Sequence, residues 1–95
     1  MRLTATQHHC ILEATRQSFG DDAKVWLFGS RVDDTRRGGD VDLYVETNQV
    51  NTLMTALRCK MEIEERLDLH VDIVVNEHTK NKPIYQIAKN QGVLL

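Results

Sequence analysis

The sequence predicts a mixed α/β (α+β) domain, with helices packed on a small sheet in the order helix, strand, short helical turn, strand, helix, strand, helix. Two observations predict it. Apolar residues recur at helical spacing in three segments, and three shorter segments rich in Val, Ile, Leu and aromatic residues alternate with them. Three visible strands are too few for a doubly wound sheet. The length of 95 residues argues for one domain, spanning 1–95.

The first helix is expected from about Thr4 to Phe19. Thr4 followed three positions later by Gln7 fits a capping box. Ile11, Leu12 and Phe19 lie near one face with Ala5 and Ala14 beside them, and Gly20 suits a left-handed residue past the end. "AKVWLFG", Ala23 to Gly29, is too short for a helix and reads as a buried strand with Trp26 in the core. "DVDLYVE", Asp40 to Glu46, alternates, so Val41, Leu43 and Val45 face one way and Asp40, Asp42 and Tyr44 the other. The second helix is expected from about Val50 to Leu67. Val50, Leu53, Met54, Leu57 and Met61 form its stripe, extended by Glu64 and flanked by Ala56, Ile63 and Leu67. That stripe is assigned to the core, although Met-rich faces also serve partners. In "LHVDIVV", Leu69, Val71, Ile73 and Val75 share one face and His70, Asp72 and Val74 the other. A last helix starts near Pro83, a tolerated first-turn residue, and ends before Gly92.

Net charge is −2, so the chain has no global basic footprint, which argues against nucleic acid as a direct substrate. No apolar run reaches the ~20 residues of a membrane span. "MRLTATQHHC" lacks the apolar segment of a signal peptide. Cys10 and Cys59 show no metal-ligand spacing and read as small apolar residues of a reduced, cytoplasmic protein.

The chemistry concentrates in "WLFGSRVDDTRRGGDVDLYVE", Trp26 to Glu46. Asp40 and Asp42 project from one strand face, where like charges repel and oppose folding. A hard divalent ion with oxygen ligands, Mg²⁺ or Mn²⁺, is the natural compensating cation. Asp72 becomes a third ligand if its strand lies beside the second with the same face exposed. Gly29-Ser30 follows a buried strand, where glycine lets backbone approach a phosphate and the Ser30 hydroxyl adds a donor. Arg31 adds a fixed positive charge that forks onto phosphate. The plain alternatives are solvent-facing aspartates, an Arg31 paired with Asp33 or Asp34, solvated Arg36 and Arg37, a half-exposed His70, and a Tyr44 explained by packing.

"FGSRVDDTRRGGDVDL" resembles the signature of the polymerase-beta-like nucleotidyltransferase superfamily: an apolar residue, Gly-Ser, a loop, then Asp-x-Asp in a strand. The Gly-Ser-Arg start and small size are similar to its minimal nucleotidyltransferase (MNT) group. The resemblance covers nearly the whole chain and implies the nucleotidyltransferase fold with a mixed sheet. It implies that Gly29 and Ser30, with Arg31, hold the phosphates of a nucleoside triphosphate. Asp40 and Asp42 match the two metal ligands, and Asp72 the acidic position that completes the site and helps activate the attacking hydroxyl. Gly39 stands where many members carry Ser or another small residue. The implied reaction moves AMP from ATP to an acceptor hydroxyl and releases pyrophosphate. MNT proteins pair with helical HEPN ribonucleases as antitoxin and toxin, so the implied acceptor is a partner protein in a homo- or hetero-oligomer. Two other functions stand beside this one. The first is a non-catalytic antitoxin that neutralises its partner by binding. The second is transfer to a small molecule, which usually needs a further substrate-binding domain.

Overall fold

The computed structural model describes residues 2–33 and 39–95. Helix α1 (Ala5–Phe19) leads into strand β1 (Lys24–Phe28) and a 3₁₀ turn (Gly29–Val32). Strand β2 (Val41–Glu46), helix α2 (Leu53–Leu67), strand β3 (Val71–Val75), helix α3 (Pro83–Gln91) and strand β4 (Val93–Leu94) follow. The expected capping box opens α1: Gln7 N–H donates to Thr4 Oγ1 at 3.0 Å, and Thr4 N–H to Gln7 Oε1 at 2.9 Å. Pro83 opens α3 in the first turn, where its missing N–H has no partner to lose.

The sheet order is β3-β2-β1-β4. β1 pairs antiparallel with β2 and β4, whereas β2 and β3 run parallel, joined by the α2 crossover. β4 is the strand the sequence did not announce, because two residues carry no readable alternation.

Strand alternation divides the apolar residues as expected. On one face Val25, Leu27, Val41, Leu43, Val45 and Val71 pack against Ile11, Ala14 and Phe19 of α1 and Cys59 and Ile63 of α2. On the other face Trp26 and Tyr44 meet Tyr85 and Ala88 of α3. Tyr44 is fully buried, its ring centroid 5.4 Å from those of both Trp26 and Tyr85. Packing therefore accounts for Tyr44, which shares the aspartate face without opening to it. Cys10 and Cys59 are both free and buried, and burial pushes both thiols up.

Helix α2 corrects the expected core. Val50 precedes the helix, and Val50, Leu53 and Met61 are 70%, 73% and 66% exposed. Met54 and Leu57 are also exposed. The buried side is Cys59 and Ile63, with Ala56 and Leu67 half-buried. Two positions along a helix turn a side chain by about 200°, so Cys59 and Leu57 look in opposite directions. The helix carries two apolar stripes, and the bulkier one faces outward.

Candidate active site

Register brings the acidic residues together. Asp42 lies opposite Phe28 on β1 and opposite Asp72 on β3, so both carboxylates rise from one face of adjacent strands. Among the described residues, Asp40, His70 and Asp72 form a tight cluster, with one donor atom from each within 4.8 Å of the others. Asp42 sits lower, half-buried against Gly29. Burial, then the charges of Asp72 and Asp40, push its carboxyl above the usual range. Two carboxylates and an imidazole at this spacing are a donor set that a divalent cation accepts.

The 3₁₀ turn closes over the same end of the sheet. Gly29 has φ +77°, and a Cβ there would collide with the Asp42 carboxylate. Gly39 has φ +91°, and a Cβ there would collide with Ser30 Oγ. A serine at 39 therefore does not fit this arrangement without displacing Ser30. The Arg31 guanidinium donates to the carbonyls of Gly39 (3.2 Å) and Arg2 (3.1 Å). Arg2 answers by donating to the Ser30 carbonyl at 3.0 Å, so two arginines tie the turn to the start of β2. Asp34, Arg36 and Arg37 lie outside the described residues.

Gly29→Ala tests this closure. The positive φ costs about 1–2 kcal/mol for a residue with a Cβ, and Asp42 must move as well. We expect a lower Tm together with weaker divalent-cation binding by calorimetry. An unchanged cation affinity would mean that the Gly29–Asp42 contact does not set the site.

Lys60 and Glu64 of α2 enter the site without any signal in the sequence. Glu64 Oε2 accepts the Val71 N–H at 2.9 Å and lies 3.0 Å from His70 Nδ1. The Val71 N–H, then the Lys60 ammonium, hold the Glu64 carboxyl below its usual range. Lys60 Nζ donates to the Val71 carbonyl at 2.6 Å and stands 3.6 Å from Asp72 Oδ1. One turn of helix places both residues over the start of β3.

A cavity of about 660 Å³ lies elsewhere, between the start of α2 and the segment after β3, lined by Leu53, Ile73, Asn76 and Lys80. It holds none of the three aspartates. The acidic site is an open surface, suited to an ion and a phosphate rather than to an enclosed ligand.

Residues 13–95 match the family described as Polymerase beta, Nucleotidyltransferase. The chain belongs to the polymerase beta nucleotidyltransferase family. No curated protein matches it significantly in sequence. The nucleotidyltransferase fold is similar to a chain of the tri-AMPylated Shewanella oneidensis HEPN toxin–MNT antitoxin complex, at TM-score 0.74 and 19% identity over 94% of this chain and 68% of that one. It is also similar to a chain of a mutant toxin–antitoxin MntA–HpeT complex, at TM-score 0.72 and 19% identity over 93% of this chain and 69% of that one. A further Shewanella oneidensis structure matches at TM-score 0.72 and 14% identity over 98% and 71% of the respective chains. Identities this low speak for the fold. Within it, the nucleotidyltransferase domain presents Gly29, Ser30, Asp40, Asp42 and Asp72 at one end of its sheet.

Proposed function

We propose that this nucleotidyltransferase moves AMP from ATP to a hydroxyl of a partner protein, as the cytoplasmic antitoxin of a HEPN ribonuclease toxin. The observation that carries the reading is the β2–β3 register, which sets Asp42 opposite Asp72 beside the Gly29-Ser30 turn. The similar fold in complexes of an AMPylated HEPN toxin with an MNT antitoxin supports the choice of acceptor.

In this reading Asp40, Asp42 and Asp72 hold Mg²⁺, or Mn²⁺ in its place. A bound divalent ion would neutralise charge that develops on the phosphoryl oxygens. Gly29 and Ser30 receive the phosphates, where the backbone is open to close approach. Arg31 holds the turn in place and adds positive charge to it. Asp72 accepts the proton of the attacking hydroxyl. The new bond runs from that oxygen to the α-phosphorus, and the bond to the leaving pyrophosphate breaks in line.

Purified protein, the helical HEPN protein, ATP and Mg²⁺ are mixed, and intact-mass spectrometry reads the HEPN protein. The expected result is an added AMP. A stable complex without that addition moves the assignment to the binding-only antitoxin. The exposed α2 stripe favours binding in either case, since contiguous exposed apolar side chains mark interaction surfaces. Leu53→Asp plus Met61→Asp is expected to weaken the complex at least about tenfold, because truncating or charging a buried anchor costs about 2 kcal/mol. The isolated protein should keep its Tm, as both residues are solvent-facing. Unchanged affinity by calorimetry would remove the stripe from the interface.

A further inference from the structure

We propose that His70 is a nitrogen ligand in the cation site, held in place by Glu64, and that it biases the site towards Mn²⁺ over Mg²⁺. The inference rests on the carboxylate metal reading above and deepens it.

The geometry carries it. His70 Nδ1 lies 3.0 Å from Glu64 Oε2. An ionised carboxylate only accepts, so in the neutral ring the proton sits on Nδ1 and the lone pair on Nε2. Nε2 stands 3.8 Å from Asp72 Oδ1, too far for a hydrogen bond. Two ligands on one ion, each with a bond of about 2.1 Å, are separated by at most about 4.2 Å. The Nε2–Oδ1 separation falls inside that limit, and Asp40 offers a carboxylate oxygen within 4.8 Å of a donor atom on each of the other two residues. Glu64 is itself fixed by the Val71 N–H. The chain Val71–Glu64–His70 thus orients the ring as carboxylates orient metal-bound histidines elsewhere. A nitrogen donor adds little for Mg²⁺, which prefers oxygen, and more for the transition ions.

The test uses the whole protein with each metal alone. Calorimetry reads Mn²⁺ and Mg²⁺ affinity, and pulsed electron paramagnetic resonance reads ¹⁴N coupling to bound Mn²⁺. In the wild type we expect tighter Mn²⁺ than Mg²⁺ binding and a ¹⁴N signal. His70→Ala should lose the ¹⁴N signal and about tenfold in Mn²⁺ affinity, with Mg²⁺ affinity changed less than about twofold. Its side chain is 57% exposed, so the variant should fold, which its Tm checks. Mn²⁺ bound without ¹⁴N coupling, or equal losses for both metals, would overturn the His70 assignment and leave the carboxylate site standing. No Mn²⁺ binding by the wild type would overturn both.

Discussion

Asp40→Asn plus Asp42→Asn is expected to abolish AMP addition while leaving the metal-free protein as stable as the wild type or more so. Loss of preorganised charge at a phosphoryl-transfer site costs about 10²–10³ per group removed, so the pair should take activity below detection. Stability moves the other way. Asp42 faces Asp72 across the β2–β3 pair, and like charges directly opposite cost up to about 1 kcal/mol. Burial raises the Asp42 carboxyl most, and the charges of Asp72 and Asp40 add to it. The sign with pH follows from linkage. Below the ordinary carboxylate range Asp42 is neutral in both folded and unfolded chains. As pH rises, the unfolded chain releases that proton first, and the folded chain loses the benefit of a neutral Asp42 through its elevated pKa. The metal-free wild type should therefore lose stability above the ordinary carboxylate range, and the double variant should flatten that slope. Tm measured against pH in chelator, beside the mass-spectrometric assay, checks both. A variant that melts below the wild type at neutral pH would contradict the account of Asp42.

Tyr44→Ala should be the most damaging single truncation on the α3 side of the sheet. Tyr44 is fully buried and stacks on Tyr85, while its hydroxyl donates to Glu46 Oε2 and accepts from Asn76 Nδ2, both at 2.9 Å. Burial pushes its phenol up to about 12, so it remains a donor at any working pH. Removing a buried aromatic ring costs about 3–5 kcal/mol, against a total stability of about 5–15 kcal/mol for a domain. Tyr44→Phe removes only the hydroxyl and should cost about 1 kcal/mol. At roughly 4–8 °C per kcal/mol for this size, the alanine variant should melt at least about 12 °C lower. Urea unfolding of the two variants separates ring from hydroxyl. Equal losses would mean that the hydrogen bonds to Glu46 and Asn76, not the ring, carry the contribution of Tyr44.

Much of the fold is legible in the sequence alone. The alternation of "DVDLYVE" and "LHVDIVV" assigned the faces of both strands from Val41 and Val71 onward, since side-chain direction in a strand is fixed by parity, while Asp40, Leu69 and His70 precede the strands. Thr4, Gln7 and Pro83 marked helix starts because caps are local chemistry. Helix α2 was harder. Leu53, Leu57 and Met61 outweigh Cys59, Ile63 and Ala56 in apolar bulk, so periodicity alone pointed the wrong side inward. β4 was too short to register. At the site, the three aspartates were visible as carboxylates in apolar strands. Lys60, Glu64 and the Arg2–Arg31 clasp were not, because only the tertiary fold brings them near. Arg31 stood out for its charge, and its guanidinium is found on the carbonyls of Gly39 and Arg2.

Lys60 bears on how the acidic strands carry their charge. Its ammonium stands 3.6 Å from Asp72 and is anchored on the Val71 carbonyl. The acidic strands thus carry a placeholder cation supplied by the chain itself. In the folded sheet it offsets part of the negative charge that Asp42 and Asp72 bring together. A zinc finger is built otherwise, because there the ion is the core. In the proposed reading a divalent ion would instead be a tenant, entering with the nucleotide and leaving with pyrophosphate while the fold stays intact.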